Sequence, residues 1–220
     1  MQSTPPRQLV KGLLSPVERY SEVLFGVLMA LTITGALRVG GAGAQDSRSA
    51  FFSALGCNVA WGIVDAVMYG LNALFERGRR ILLFHHVRRG SPAAGRRVVA
   101  EAMPDALGEA LNEAEIEALR HRIAGWRGIP AQPRILWEDV LAAAGVFLLV
   151  VVSTFPVALP FLLVSDVKVA MRISRGLSLA LLFLCGYGVG RYSGLRPVRL
   201  GLGMLAIGVV LVVLLEALGG

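Results

Sequence analysis

Asp65 is the residue of this chain best placed to do chemistry, because it is the one carboxylate inside a long apolar run. The run from residue 50 to residue 75 is otherwise uncharged. About 25 residues at 1.5 Å each cross a hydrocarbon core of about 30 Å. An aspartate at the centre of such a helix costs about 2.5–3.5 kcal/mol, and it usually faces a cavity or a partner. Two explanations of Asp65 are open. It lies on an ion or proton pathway, or it forms hydrogen bonds between helices.

Asn58 and Asn72 lie seven residues to either side of Asp65. In a helix this spacing places all three side chains on one stripe, with Met68 beside it. We expect Asn58 and Asn72 to line a pathway that passes Asp65. Glu22, at the start of the first apolar run, is a second ionisable candidate, either on the pathway or at the water interface.

The composition predicts an all-α integral membrane protein. Hydrophobic residues make up 55% of the 220, charged residues 17%, and the mean hydropathy is +0.64. We predict five transmembrane helices, around residues 23–37, 50–75, 141–164, 176–190 and 198–218. Ser15, Pro16 and Glu18 are typical of a helix start, and Pro156 and Pro160 predict a broken third span.

The basic residues predict the topology. Residues 1–75 carry the first two spans, residues 76–136 form a cytoplasmic helical insert, and residues 137–220 carry the last three. With the amino terminus in the cytoplasm and the carboxyl terminus on the opposite side, 17 of the 22 basic residues lie inside. We therefore expect a multi-pass protein of the cell membrane. The net charge of +7 indicates binding to anionic lipid headgroups at the cytoplasmic face, not to nucleic acid.

The insert contains a recognisable helix. Asn112 and Glu115 predict a capping box, a helix from Glu113 to Ala124 and an end at Gly125. Further acidic and imidazole side chains recur at spacings of four, namely Glu101, Asp105, Glu109, Glu113, Glu117 and His121. Such a row could bind a divalent transition metal, or it could be a solvated face that balances an arginine-rich segment.

Several stretches together resemble the vacuolar iron transporter family. YSEVLFGVLMALTITGAL is similar to its first helix, ALGCNVAWGIVDAVMYG to its second, FPVALPFLLV to its paired-proline third helix and LFLCGYGVGRYSG to its glycine-rich fourth. A long cytoplasmic insert between the second and third spans is also typical of that family. The resemblance covers nearly the whole chain.

The resemblance implies a homodimer with its pore between subunits, and exchange of Fe²⁺ or Mn²⁺ for protons. It implies that Glu22 and Asp65 lie near the acidic pathway positions, with Met68 as a softer neighbouring ligand. The glutamates of the metal-binding insert would correspond to Glu101, Glu109, Glu113 and Glu117. The chain departs from the family in Trp61, where a methionine is usual, in Asp65, where a glutamate is usual, and in a more basic insert.

The function that we expect is therefore export of Fe²⁺ or Mn²⁺ from the cytoplasm by proton antiport. The metal is the transported substrate, and no resident cofactor is expected. The alternative is a non-transporting membrane protein of the same fold, whose basic insert binds lipid or a partner protein and whose Asp65 only fastens helices. We expect no enzyme activity, because no nucleophile is accompanied by a positioned base.

Overall fold

The structure is a computed structural model, and it describes residues 14–39, 47–104, 108 and 110–219. This part of the chain contains eight α-helices with described bounds and no strand, which confirms the all-α prediction for the described residues. The helices are α1 (Pro16–Val39), α2 (Ser47–Arg89), α3 (Pro92–Glu101), α4 (Glu113–Ala124), α5 (Trp137–Ala158), α6 (Pro160–Leu163), α7 (Val167–Tyr192) and α8 (Pro197–Gly219).

Four of these helices, α2, α5, α7 and α8, are long and apolar enough to cross a membrane. Together they indicate a membrane-embedded protein. Helix α1 has 24 residues, and its side chains beyond Gly35 lie outside the described part. Four of the five expected spans thus have the length and composition required, and the fifth remains a prediction.

Helix α1 begins as the sequence predicts. The backbone N–H of Ser15 donates to Glu18 Oε2 at 2.6 Å, and the N–H of Glu18 donates to Ser15 Oγ at 3.2 Å. This reciprocal capping box, with Pro16 in the first helical position, satisfies backbone donors that a helix start leaves unpaired. The helix then continues without interruption through Val39, so the entry segment and the first apolar run are one element.

Helix α2 is longer than the apolar run within it. It has 43 residues and continues through Arg89, although the composition changes sharply after Phe75. Arginine, leucine and glutamate are good helix formers, so the change in polarity does not break the backbone. The chain divides into two compact units, residues 1–69 with 137–220 and residues 70–136, and α2 contributes to both.

The third predicted span is broken at its prolines, as expected. Helix α5 contains Pro156 and ends at Ala158, and α6 starts at Pro160. The Leu159 N–H between them still donates to the carbonyl of Phe155 at 2.8 Å. Because a proline has no N–H, each one removes a donor from the helical ladder.

In the first unit, α1 packs against α5, α7 and α8. Its Val27, Ala30 and Leu31 are buried together with Val157 and Leu182. The first part of α2 joins this unit through Phe51 and Ala54, which form a second buried cluster with residues of α5, α6 and α7. Burial of these apolar side chains stabilises the packing of the helices around α1.

Close helix crossings in this unit rely on glycine. A Cβ added to Gly26 of α1 would lie 2.1 Å from Ser153 Oγ and 2.8 Å from the carbonyl oxygen of Val150, both in α5. A Cβ added to Gly186 of α7 would lie 2.8 Å from Met204 Cγ in α8. Small residues let membrane helices approach in this way.

An ion pair joins the first half of α7 to the end of α8. The Arg175 guanidinium donates to Glu216 Oε1, and it also contacts the sulfur of Met171. The Arg175 side chain is only 17% exposed. Glu216 therefore forms part of the contact between two helices.

The second unit consists of the end of α2 with α3, α4 and the segment that follows them. Its core contains Val87 and Val99. Gly95 of α3 lies against Arg120 of α4, where an added Cβ would lie 2.8 Å from Cδ. Ser91 caps α3 by accepting from the Ala94 N–H at 3.3 Å.

Helix α4 matches its prediction from the sequence. It runs from Glu113 to Ala124, and Gly125 follows as its C-cap. Asn112 and Glu115 form the reciprocal capping box. Asp105 and Glu109, of the acidic row that precedes this helix, lie outside the described residues.

Candidate functional site

Asn58 of α2 is fully buried and joins three helices of the first unit. Its Nδ2 donates to the carbonyl of Gly26 in α1 at 3.2 Å and also to Thr154 Oγ1 in α5. Thr154 Oγ1 in turn donates to the carbonyl of Val150 at 3.1 Å. A buried amide in an apolar surrounding is costly unless it is hydrogen-bonded, so these contacts specify how α1, α2 and α5 meet.

Two acceptor oxygens on the same stripe of α2 have no such partner. Asn58 Oδ1 and Asp65 Oδ2 are both buried, and neither accepts a hydrogen bond from the described residues. Most buried polar atoms in proteins are paired, and an unpaired one calls for a specific explanation. Oxygens without donors are the type of group that coordinates a hard cation or accepts a proton.

Helix α1 meets the first part of α2 near the positions of Glu22 and Asp65. The Phe25 ring meets the Trp61 ring edge-on, with centroids 6.2 Å apart. Gly26, the next residue of α1, and Asn58, one turn before Trp61, are hydrogen-bonded, so α1 and α2 meet at this point. Glu22 lies about one turn before Phe25 in α1, and Asp65 lies about one turn after Trp61 in α2.

The carboxylate site is defined here as Glu22, Asp65 and Asn58. One side of it is open in the isolated chain. Asp65 is only partly buried, and Met68, one turn along α2, is 48% exposed. Trp61 and Val64 on the neighbouring surface are also exposed. This surface presents large apolar side chains next to a carboxylate, a combination that hydrocarbon alone does not solvate well.

Asn72, the third member of the predicted stripe, belongs to the second unit. Its side chain is exposed, and it forms no hydrogen bond with another described residue. Asn58 and Asn72, the two residues expected to line a pathway, therefore lie in different environments, because Asn58 is fully buried and Asn72 is exposed.

In the second unit, Glu117 of α4 is held by arginines. Arg120 donates to both of its carboxylate oxygens, at 2.9 and 2.7 Å, and Arg96 of α3 donates to Oε2 at 3.3 Å. His121 Nε2 lies 3.1 Å from Oε1. The hydrogen bonds from Arg120 lower the pKa of the Glu117 carboxyl to about 2. A metal ion at Glu117 would have to compete with these guanidinium groups.

The remaining glutamates of the expected metal-binding row are less closely grouped. Glu101 accepts from Arg97 Nε at 2.7 Å, and this hydrogen bond raises the pKa of the guanidinium. Glu113 is exposed in the first turn of α4. Glu109 lies outside the described residues. Within the described ranges, no three His, Cys, Asp or Glu side chains are grouped closely enough to hold a metal ion.

Sequence reasoning missed the partners of Asn58. Ser153 and Thr154 form a polar pair inside the otherwise apolar α5, and this pair was the available signal. A buried hydroxyl there satisfies its donor within its own helix and can still accept from a second helix. Gly26 lets α1 approach Ser153 and the backbone of Val150, because an added Cβ would lie against both.

Comparison with known proteins adds no assignment. A scan against models of protein families found no match. A search of curated proteins also found no significant match.

Proposed function

We propose that the protein is a membrane transporter that exports a divalent metal, Fe²⁺ or Mn²⁺, from the cytoplasm by proton antiport. One observation carries the proposal. The carboxylate of Asp65 lies within an otherwise apolar stretch of α2, and its buried Oδ2 has no donor in the described chain. Ionisable groups within membrane helices commonly mark ion paths and proton relays.

In the proposed cycle, Asp65 is the principal ligand and the group that exchanges protons. The Asn58 Oδ1 oxygen offers a neutral ligand on the same stripe, two turns away. Glu22 supplies the second negative charge, and the Met68 thioether is a soft ligand suited to a transition metal. Release of the metal leaves the carboxylate of Asp65 without a counter-charge within the membrane, and proton uptake neutralises it for the return step.

The exposed face of α2 supports the homodimer in this proposal. A second copy packed over Trp61, Val64 and Met68 would remove these side chains from lipid and enclose Asp65. The same contact would bring four carboxylates to one interface, two from each subunit. Such a site resembles the pore between subunits that the family resemblance implies.

The proposed topology has five spans, with α1 as the first. The amino terminus and the insert lie in the cytoplasm of a cell-membrane protein, and the carboxyl terminus lies on the opposite side. The distribution of basic residues supports this orientation. In the insert, Glu113 is the exposed glutamate best suited to collect the cation. Glu101 and Glu117 would join it if metal displaces their arginines, and the sequence offers Glu109 as a further ligand.

Flux measurement tests the proposal. The purified protein is reconstituted in proteoliposomes with an imposed pH gradient, and Mn²⁺ or Fe²⁺ entry is followed with a trapped fluorescent chelator. We expect metal flux above that of empty vesicles and counterflow of protons. Asp65→Asn should lower the flux by about tenfold or more, because the loss of one charged ligand costs more than about 1.4 kcal/mol.

The matched control is Glu138→Gln, which removes an exposed carboxylate in the first turn of α5. It should leave the flux unchanged. Wild-type flux equal to that of empty vesicles, or full flux in Asp65→Asn, would contradict the proposal.

The alternative is a non-transporting protein of the same fold whose insert binds lipid or a partner. The ion pairs of Glu101 and Glu117 with arginines favour this alternative, because arginines of the same unit already neutralise these two carboxylates. It predicts that Asp65→Asn changes thermal stability in detergent with no effect on metal binding. Calorimetric titration of the whole protein with Mn²⁺, before and after the substitution, separates the two functions.

A further inference from the structure

The second unit contains a groove with a volume of about 320 Å³ that the proposed transport does not use. It lies between the part of α2 that follows Phe75 and the segment from Trp126 to Leu136. Its size falls within the range of about 300–1,000 Å³ that is usual for small-molecule sites. We call it the arginine groove.

The floor of the arginine groove is apolar and aromatic. Ile81 is buried at its base, and the Phe84 and Trp126 rings meet edge-on with centroids 5.7 Å apart. Trp126 is nevertheless 55% exposed. A hydrocarbon chain laid on these rings would remove them from water, which is favourable in proportion to the area covered.

The rim of the groove is basic. Arg77, Arg80 and Arg134 all line it, and no acidic residue is among the residues described as lining it. Arg77 Nη1 donates to the carbonyl of Arg134 at 3.1 Å, which joins the two walls. Within the described chain, Arg80 forms no ion pair or hydrogen bond through its side chain. Three guanidinium groups at the edge of an apolar surface are complementary to an anionic headgroup with an attached hydrocarbon chain.

Both walls adjoin membrane segments along the chain. Arg80 follows the end of the apolar run at Phe75 by five residues, about 7.5 Å of helix. The other wall ends at Leu136, directly before α5 begins at Trp137. Basic and aromatic residues at the ends of spans are typical of the headgroup level.

We propose that the arginine groove binds one anionic phospholipid. Its phosphate contacts Arg77, Arg80 and Arg134, and part of one acyl chain covers Phe84 and Trp126. The amino-terminal segment of the chain is a poor occupant, because residues 1–13 carry two basic residues and no acidic one. The site does not depend on metal transport.

Native mass spectrometry of the delipidated, full-length protein in detergent tests the site. Phosphatidylglycerol and phosphatidylcholine with the same acyl chains are titrated separately, and bound lipid is counted. We expect one tight phosphatidylglycerol and weak binding of phosphatidylcholine. Arg80→Gln should weaken the tight binding about fivefold, as expected for the loss of one basic residue near a phosphate, and Arg80→Lys should restore most of it.

Arg79→Gln is the matched control, since Arg79 neighbours Arg80 on α2 but does not line the groove, and its side chain is 81% exposed. It should leave the tight binding unchanged. Phe84→Ala should weaken binding of the lipid, and glycerol 3-phosphate without acyl chains should bind far more weakly. Equal losses in Arg79→Gln and Arg80→Gln, equal binding of the two lipids, or glycerol 3-phosphate binding as tightly as the lipid would each overturn the proposal.

Discussion

Asn58 in α2 donates a hydrogen bond of 3.2 Å to the backbone carbonyl of Gly26 in α1, across 32 positions of sequence. The contact joins the two helices at this point. Glu22 lies four residues before Gly26 along α1, and Asp65 lies seven residues after Asn58 along α2. The packing of α1 against α2 beside these carboxylates thus depends on a neutral amide.

Removal of this amide should destabilise the protein. Asn58→Ala deletes the hydrogen bonds to Gly26 and Thr154, and interhelical hydrogen bonds in membranes contribute about 0.6–1.7 kcal/mol. We expect a lower midpoint of thermal unfolding in detergent, measured by tryptophan fluorescence. Asn72→Ala is the control, because that amide is exposed, and it should leave the midpoint unchanged. A midpoint for Asn58→Ala equal to that of the wild type would show that the bond does not fasten the helices.

The close approach of α1 to α5 at Gly26 predicts that a larger side chain at this position lowers the stability of the protein. Gly26→Ala should lower the unfolding midpoint, because its Cβ would lie 2.1 Å from Ser153 Oγ and 2.8 Å from a backbone oxygen. Overpacking of this kind costs about 1–3 kcal/mol. Gly56→Ala in α2 has nothing within 4 Å of its added Cβ, so it should be neutral or slightly stabilising. The prediction fails if both variants unfold alike.

The arginine contacts of Glu117 predict a pH dependence in the second unit. Its pKa falls from 4.5 to about 2 on folding. The contribution of the carboxylate to stability is therefore fully present above about pH 4.5, and it is lost as the pH falls from there through about 2. Amide hydrogen exchange of α4 in the full-length protein, corrected for the intrinsic rate, should show decreasing protection across this range.

Glu117→Gln is the control for that experiment. It has no titrating group at this position, so the protection of its α4 amides should change less between pH 5 and pH 3 than in the wild type. The same pH profile in both proteins would assign the effect to other carboxylates.

Local hydrogen bonding explains which elements could be predicted. The caps at Ser15 and Asn112 satisfy donors within three residues of themselves, so their sequence is sufficient to place the starts of α1 and α4. The break between α5 and α6 follows in the same way from the missing N–H of proline. The end of α2 could not be placed by composition, because a helical backbone continues equally well through its apolar and its arginine-rich parts.

The residue types and spacing alone determined that the chain is helical, that most of its long helices could cross a membrane, and that Asp65 has an unusual environment. Only the tertiary structure decided which groups meet. It brought Asn58 to Gly26 and Thr154, over separations of 32 and 96 residues, and it engaged Glu117 with Arg96 of another helix. Helical periodicity predicts which side chains share a face, whereas the partner of that face depends on how helices distant in sequence pack together.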